Sequence, residues 1–475
     1  MTYRVFIVLF FAICSAFGRD IYISSSTGDD KNQGTIDAPL KTISASPKEN
    51  VNIFLKRGDV FYERCENFKN CTIDAYGEGD KPMVCGLKIL KNNSAWVRIA
   101  NDVWKLDLKK KENYKGFATT VDREDNIGAI YDIENDKIYG HLVHRYSALN
   151  SYGDFWVSDN INRINVQTKD ETFKYLFFRS KENPAKMKAT FGFSTYNFGV
   201  SNLKNCTVKN IAIKGFGIHG IAKAWDCKFQ NIDIDVIGGS VQMSYPSWVR
   251  LGNGVEFWIN TTNSCHNNLV EGCKIARTYD CGATIQGRAK GDAVAKNIVF
   301  KNNYFYKCRQ AFEHFVRSTN GGKSIYINCE FSNNKCFDMG DNEFSTPECR
   351  DANILSYEKY KISGLTIKNN IFWGANYYSN QKHTAKLENN TVYIFKGQYL
   401  MFNRFEPNSA IWADSPEDIK KMQNLLGNYS DKIIIVDPSD IHLREKILRE
   451  CFSEEKSEIQ KKADVKYKRP SFFRK

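Results

Sequence analysis

Between residues 200 and 405 the chain alternates apolar and polar positions in short runs, as in Asn297-Ile298-Val299-Phe300 and Gly364-Leu365-Thr366-Ile367. A period of two in segments rich in Val, Ile and Phe, punctuated by Asn and Gly, predicts strands rather than helices. A phrase recurs along them: Asn, Asp or Gly, then Cys or Asn, then any residue, then Val, Ile or Phe. It is found at Asn205-Cys206-Thr207-Val208, Asp226-Cys227-Lys228-Phe229, Gly272-Cys273-Lys274-Ile275, Asn302-Asn303-Tyr304-Phe305, Asn328-Cys329-Glu330-Phe331, Asn369-Asn370-Ile371-Phe372 and Asn389-Asn390-Thr391-Val392. Its second positions lie 21, 46, 30, 26, 41 and 20 residues apart. Spacing of this kind, with two intervals holding an insertion or an extra turn, predicts a solenoid. Asn and Gly suit its corners because both tolerate a left-handed backbone. The fold class expected is all-β: a single-stranded, right-handed parallel β-helix with capped ends.

In-register stacking also accounts for the cysteines. Cys206, Cys227, Cys273 and Cys329 share one repeat position, and Cys281, Cys308 and Cys336 are expected at a second. A free cysteine behaves as a small buried hydrophobe, so these columns are read as packing. No CxxC pair or paired His accompanies them, which argues against a metal site.

Near the N-terminus stand Asp20-Ile21-Tyr22-Ile23-Ser24, Gly28-Asp29-Asp30, Gly34-Thr35, Ala38-Pro39-Leu40-Lys41-Thr42-Ile43, Phe54-Leu55-Lys56-Arg57-Gly58-Asp59 and Phe61-Tyr62-Glu63. Ile73-Asp74-Ala75-Tyr76-Gly77, Gly79-Asp80 and Lys81-Pro82 follow. These segments resemble the opening coil of the pectate-lyase-like right-handed β-helix superfamily. The resemblance covers most of residues 20–90 and the repeats of 200–405. It implies the β-helix fold and a polysaccharide-active relative, either a lyase or a glycoside hydrolase.

Residues around 95–200 break the pattern with Trp96, Trp104, Tyr131, Tyr139, Trp156, Tyr175 and Phe177 and are expected to form a β-rich insertion. Residues 19–410 are then the β-helix, and 411–475 a C-terminal cap and basic tail, with a candidate helix from Pro416 to Leu426 and a strand at Ile433-Ile434-Ile435-Val436. Residues 1–18 read as a secretory signal: Arg4, an apolar run from Val5 to Cys14, then Ala16-Phe17-Gly18. Removing them leaves 475 − 18 = 457 residues and, without Cys14, 13 of 14 cysteines, an odd number that forbids complete intrachain pairing. The protein is thus expected to be secreted or periplasmic, monomeric and without a stable membrane span.

Composition narrows the partners. The chain has 42% hydrophobic, 25% charged and 13% aromatic residues, which excludes wholesale disorder and a small disulfide scaffold. Its 67 Lys+Arg against 54 Asp+Glu give +13, or +12 without Arg4, and point to an anionic partner. Dispersed basic residues and export disfavour nucleic acid, leaving an anionic polysaccharide.

Chemistry enters through the alignment of Gly254-Val255-Glu256-Phe257-Trp258 with Gly282-Ala283-Thr284-Ile285-Gln286 and Ala311-Phe312-Glu313-His314-Phe315. With Val255, Ala283 and Phe312 inward, His219, Glu256, Thr284 and Glu313 are expected in one outward column. Paired carboxylates on one face are what glycoside hydrolysis needs. Glu256 and Glu313, two coils apart at about 9.6 Å, lie near the inverting range, whereas Asp280 and Glu313 on neighbouring coils would be closer and imply retention. Glu256, Asp280, Glu313 and His314 are the catalytic candidates, with His314 read equally as a core histidine. Trp258, Tyr279, Gln286, Arg288 and Arg317 are the substrate-binding candidates, with Tyr245, Trp248, Lys290 and Arg309 nearby. Asp338 and Asp341 extend the site or form a turn.

The resulting reading is an exported glycoside hydrolase acting on a uronate-containing polysaccharide. It needs no cofactor or metal. A β-eliminating lyase, which would use Lys290, Arg288 or His314 as base and Ca2+ or Arg against the carboxylate, is the alternative within enzymes. A non-catalytic glycan-binding surface protein is the alternative from another class.

Overall fold

A computed structural model describes residues 18–162, 173–243, 249–340, 343–344, 352–356, 364–379, 385–403, 406–437 and 439–451. Three rows of parallel strands run the length of the stack. One row carries the site: after Val200–Lys204 come β1 (Ile221–Trp225), β2 (Val255–Ile259), β3 (Cys281–Lys290), β4 (Gln310–Thr319) and β5 (Ala352–Ser356), each paired in parallel with the next. A second row includes Lys228–Gln230, His266–Glu271, Ala293–Lys301, Cys329–Ser332 and Leu365–Lys368. A third includes Asp233–Asp235, Lys274–Ala276, Tyr304–Tyr306, Lys335–Phe337 and Ile371–Gly374. The chain visits the rows in turn, so that β2, His266–Glu271, Lys274–Ala276 and β3 trace one circuit and begin the next. This is a parallel β-solenoid with three strand rows.

Alternation along the strands fills its interior. Val255, Ala283, Phe312 and Ile354 stand over one another, as do Phe257, Ile285 and His314. Phe312 stacks on Phe331 at a ring separation of 4.6 Å, and Phe331 on Phe372 at 6.5 Å. The leading residue of every recurring phrase, Asn205, Asp226, Gly272, Asn302, Asn328, Asn369 and Asn389, has φ between +50° and +62°. The corners therefore use the left-handed region that Asn and Gly enter most cheaply.

The phrase nevertheless marks two corners, not one. Pairing of Val208 with Phe229, Phe229 with Val270, Val270 with Phe300 and Phe300 with Phe331 puts Cys206, Cys227 and Cys329 in one column. Cys273 instead precedes the third row, in line with Asn303. The long intervals of 46 and 41 residues are steps from one corner to the other. Cys281, Cys308 and Cys336 likewise do not share a column: Cys281 pairs with Gln310, Cys336 with Phe305 and Phe372, and Cys308 lies past Tyr304–Tyr306. The eleven cysteines whose side chains are described are all buried and free.

The second corner holds an amide ladder. Asn303, Asn334 and Asn370 each donate their backbone N–H and Nδ2 to Oδ1 of the residue one coil on, at 2.9–3.1 Å, and Asn390 ends the series on Asp431 Oδ1 at 2.9 and 3.1 Å. Replacing Asn370 by Leu removes the acceptor for two buried donors of Asn334, so Asn370→Leu is expected to cost about 2–3 kcal/mol in urea unfolding. A loss below about 0.5 kcal/mol, within the range of ordinary surface substitutions, would show that the ladder is dispensable.

The insertion differs in extent from the expected 95–200. It opens at Leu87–Leu90, which pairs antiparallel with Tyr114–Gly116 and Phe191–Ser194, and a second antiparallel sheet joins Val97–Ala100, Val103–Asp107, Phe155–Ser158 and Tyr175–Arg179. Trp156, Phe155, Phe177 and Phe178 are buried together in its own core, whereas Tyr131 packs in a cluster with Val236 and Tyr279 of the solenoid. At the other end, parallel coiling runs past the expected limit of 410 to Lys432–Val436, paired with Thr391–Phe395. Helix α1 (Pro416–Leu426) starts on a Ser415–Asp418 capping box, stops at left-handed Gly427, and buries Met422 in the solenoid core. Helix α2 (Ile441–Cys451) follows, and its Arg444 bonds Asp338 at 2.8 Å. No described helix is long and apolar enough to cross a membrane. Residues 1–17, Tyr245, Trp248, Asp341 and the basic tail lie outside the described residues.

Candidate active site

The outward face of β2, β3 and β4 sets Glu256 beside Thr284 and Thr284 beside Glu313. Both carboxylates are largely buried, Glu256 at 9% and Glu313 at 4% exposure. The strands are tightly closed on the core just before them: a Cβ on Gly254 would meet the core side chain of Ile275 at 2.5 Å, one on Gly282 that of Phe305 at 2.4 Å, and Ala311 is itself a core residue. A Cβ added to Gly254 would meet the carbonyl oxygen of Gly282 at 2.6 Å, so the coils close here only around glycine.

His219 is not a member of that column. Ala222, not His219, pairs with Glu256, because His219 lies ahead of β1. Its ring still turns to the site: Nδ1 accepts the Asn253 backbone N–H at 3.0 Å, which leaves Nε2 to donate to Glu256 Oε2 at 3.2 Å. Burial lowers the His219 pKa, so the neutral ring fits this arrangement. Asn253 Nδ2 at 3.1 Å and Gln286 Nε2 donate to the same oxygen. Glu256 is thereby held by three donors through Oε2, and its Oε1 has no recorded partner among the described residues.

Asp280 and Glu313 form the second part. Asp280 immediately precedes β3, at the coil edge, and Glu313 comes from the next coil. Cys281 lies between them: Sγ is 3.7 Å from Asp280 Oδ1, 3.4 Å from Glu313 Oε2 and 3.4 Å from Gln310 Oε1. One oxygen of each carboxyl and the sulfur all fall within 4.8 Å of one another. Burial, and then the charge of Asp280, push the Glu313 carboxyl well above the usual range. Burial also raises Asp280, but Arg309 and then His219 oppose the rise. The pair is thus driven apart, with the proton on Glu313 and the charge on Asp280. Asp280, Cys281 and Glu313 also each present one ligand atom within the reach of a single cation.

The remaining candidates separate by exposure. Trp258, Gln286 and Phe315 line up on the outward face, half-buried, one position beyond the carboxylate column. Arg288 and Arg317 pair on the same face and are exposed, about 13 Å along the strand from Thr284 and Glu313 at 3.3 Å per residue. Two candidates change role. His314 is fully buried on the inward column with Phe257 and Ile285, between the rings of Phe312 and Tyr326, so it is a core residue with no route to substrate. Tyr279 is 5% exposed and its ring lies under the Arg250 guanidinium at 4.0 Å and near that of Arg309 at 5.7 Å. It braces two arginines instead of offering a face to a sugar. Asp338 pairs with Arg444 at the cap and is no part of the cluster.

Three site features have no signal in strand periodicity: Asn253, Cys281 and Arg250. Arg250 donates to Gly239 O and Gly128 O, tying the insertion to the coil beside the site. Asn126 does the same through Val241, at 2.7 and 3.1 Å.

No protein-family profile matches the chain, and no curated protein matches it. Among solved structures it is similar to XylC in complex with xylose, with a TM-score of 0.46 and 11% identity over 81% of this chain and 70% of that one. It is similar also to a GH136 lacto-N-biosidase from Eubacterium ramulus, with a TM-score of 0.43 and 15% identity over 79% of this chain and 57% of that one. A structure described as a glycoside hydrolase gives a TM-score of 0.39 and 9% identity, over 81% and 94%.

Proposed function

We propose that this protein is a glycoside hydrolase that cleaves with retention of anomeric configuration, with Asp280 as nucleophile and Glu313 as acid and then base. One observation carries the reading: carboxyl oxygens of Asp280 and Glu313 lie within 4.8 Å of each other. Retaining enzymes hold their two carboxyls about 5–5.5 Å apart, whereas inverting enzymes need roughly 6.5–9.5 Å to admit a water between carboxylate and sugar. In the first step Asp280 bonds to the anomeric carbon as the glycosidic C–O bond breaks, and the Glu313 proton passes to the leaving oxygen. In the second, Glu313 takes a proton from water, the water oxygen bonds to the anomeric carbon, and the Asp280 ester bond to that carbon breaks.

Glu256 has a different role in this scheme. Held through Oε2, it presents Oε1 as an acceptor for a sugar hydroxyl, a bond that strengthens as positive charge develops on the ring. Trp258 and Phe315 supply apolar surface for sugar faces. Arg288 and Arg317, exposed on adjacent coils about 13 Å along the strands from the carboxyl column, have the fork geometry to hold a carboxylate, which favours a glycan carrying a uronate or similar acid two or three rings from the cleaved bond. The same reading takes residues 1–18 as an export signal and the coil as right-handed, the sense of about 98% of parallel crossovers.

The test is product stereochemistry. Uronate-containing and neutral glycans are incubated with the protein, and the newly formed anomer is followed by proton NMR before mutarotation. The expected product keeps the configuration of the substrate, and the acidic glycans are cut fastest. An inverted anomer overturns the assignment of Asp280, and an unsaturated sugar end overturns hydrolysis.

A further inference from the structure

Cys281 is a buried thiol that the two-carboxylate scheme does not use, yet it touches both carboxylates. Its single S–H proton faces three acceptor oxygens, Asp280 Oδ1 at 3.7 Å and Gln310 Oε1 and Glu313 Oε2 at 3.4 Å each. A thiol carries one donor, so rotation about its Cβ–Sγ bond decides which oxygen is served. We propose that Cys281 is a positioning residue whose one rotating proton follows the negative charge from Asp280 to Glu313 and back during each turnover. This rests on the retaining scheme above.

The charge does move in that way. Before reaction Asp280 is the anion and Glu313 the neutral acid. Once the glycosyl ester forms, Asp280 bears no charge and Glu313, having given up its proton, is the anion. When water has been split, Glu313 is neutral again and Asp280 is released as carboxylate. A fixed donor would favour one of these states at the expense of the other, because a hydrogen bond to a charged carboxylate stabilises that form. A thiol that reaches both serves each in turn and keeps its own proton throughout. Its pKa supports this: burial, then the charges of Glu313 and Asp280, push the Cys281 thiol well above its ordinary value, so it remains S–H. Gln310, neutral at every pH, is the acceptor available while the proton swings between carboxylates. Among the described residues, the other charged or titratable groups facing the pair are Arg309 from β4's approach, Glu256 from the preceding coil and His219 ahead of β1.

The comparison is between Cys281→Ala, which removes the donor, and Cys281→Ser, which keeps a rotating donor of similar size. Removing a donor that favours the charged forms raises the pKa of both carboxyls, so both limbs of the kcat/KM against pH profile move to higher pH in Cys281→Ala. With an activated aryl glycoside, whose leaving group needs no proton, kcat falls about tenfold because Glu313 is less well supported as base, while kcat/KM changes little. Cys281→Ser restores both. A Cys281→Ala profile that superimposes on wild type, with unchanged kcat, overturns the proposal, as does an equal loss in kcat and kcat/KM that serine fails to restore. A second reading needs no substrate: the S–H stretching band in the infrared difference between wild type and Cys281→Ser is expected to shift as the carboxyls titrate, and to lose part of that shift in Glu313→Gln. A pH-insensitive band overturns the proposal, whereas a responsive band in a protein that cleaves no glycan overturns the hydrolase scheme and with it the turnover role, and keeps only the thiol as a donor shared by the two carboxyls.

Discussion

Asp280→Ala is expected to lower kcat on natural glycans by about 10^4-fold, the upper end of what one positioned acid or base contributes, because here a covalent step is lost as well. Sodium azide supplies the missing nucleophile. It enters the space left by the carboxylate and attacks once, so the recovered product is a glycosyl azide of inverted configuration. Glu313→Ala behaves in the opposite sense. With an activated leaving group the glycosyl ester on Asp280 still forms, and azide then attacks that ester to give a glycosyl azide of retained configuration. Identification of the two azides by NMR thus assigns nucleophile and acid separately. Azide products of the same configuration from both variants would show that the two roles are not divided as stated.

The pH dependence follows from the same division. Glu313 must hold its proton to protonate the leaving oxygen, so kcat/KM falls as pH rises through its raised pKa. Asp280 must be ionised to attack, so activity falls again as pH drops through its own pKa, which is also above the usual aspartate value. The working range lies between the two. Glu313→Ala with an activated substrate is expected to keep the acid limb and lose the alkaline one.

Much of this geometry is visible in the sequence, for a physical reason. Strand side chains alternate with a period of two and coils repeat in register, so once Val255, Ala283 and Phe312 are recognised as interior, Glu256, Thr284 and Glu313 must share the opposite face. The same rule puts His314 inside. What periodicity does not encode is the corner. Asp280 precedes its strand, so its approach to Glu313 depends on how the turn at Thr278 and Tyr279 aims it; Thr278 Oγ1 fixes that turn by donating to Asp280 O at 2.9 Å. His219 likewise reaches Glu256 from outside the strand, oriented by the Asn253 backbone. Cys281 was hidden by its own composition class, since a buried thiol on a solenoid strand is ordinarily packing. The recurring phrase was legible as a left-handed corner but not as two corners, because Asn and Gly answer the same backbone demand at both.

The largest structural loss is expected from Asp235→Ala, which removes the anion at the junction of insertion and solenoid. Asp235 accepts Arg277 Nε at 2.7 Å and a second bond from Nη2, and pairs with Lys214 Nζ at 3.1 Å. Arg277 continues to Asp136 of the insertion, at 2.8 Å to Oδ1 and 3.0 Å to O, and Lys214 reaches Tyr131 Oη at 2.7 Å. Without Asp235, two cations with side chains only 5% and 18% exposed share Asp136, at 2.8 Å from Arg277 and 3.8 Å from Lys214, with Glu343 at 3.9 Å from Arg277. Leaving a buried charge wholly unpaired costs about 3–5 kcal/mol, and the remaining bonds to Asp136 put the expected loss at or below the lower end of that range. Lys214→Met in the same chain is therefore expected to recover part of the loss, a coupling that a double-mutant cycle in urea measures directly. Additive losses would mean that the cations are not held against each other by this carboxylate. Acid adds an independent check. Burial works against the Asp235 charge, but Arg277 and Lys214 outweigh it and hold its pKa down to about 2, against 3.8 unperturbed. A depressed carboxylate stabilises fully above its unfolded pKa and loses that contribution as pH falls through the folded one. The wild type should therefore lose about 2 kcal/mol of stability between pH 4 and pH 2 through this residue, and Asp235→Ala should lack that part of its acid sensitivity. Because Arg277 and Lys214 also hold Asp136 and Tyr131, the insertion should loosen before the coils do, first exposing backbone amides of Ile130–Asp132 and Lys137–Tyr139 to hydrogen exchange.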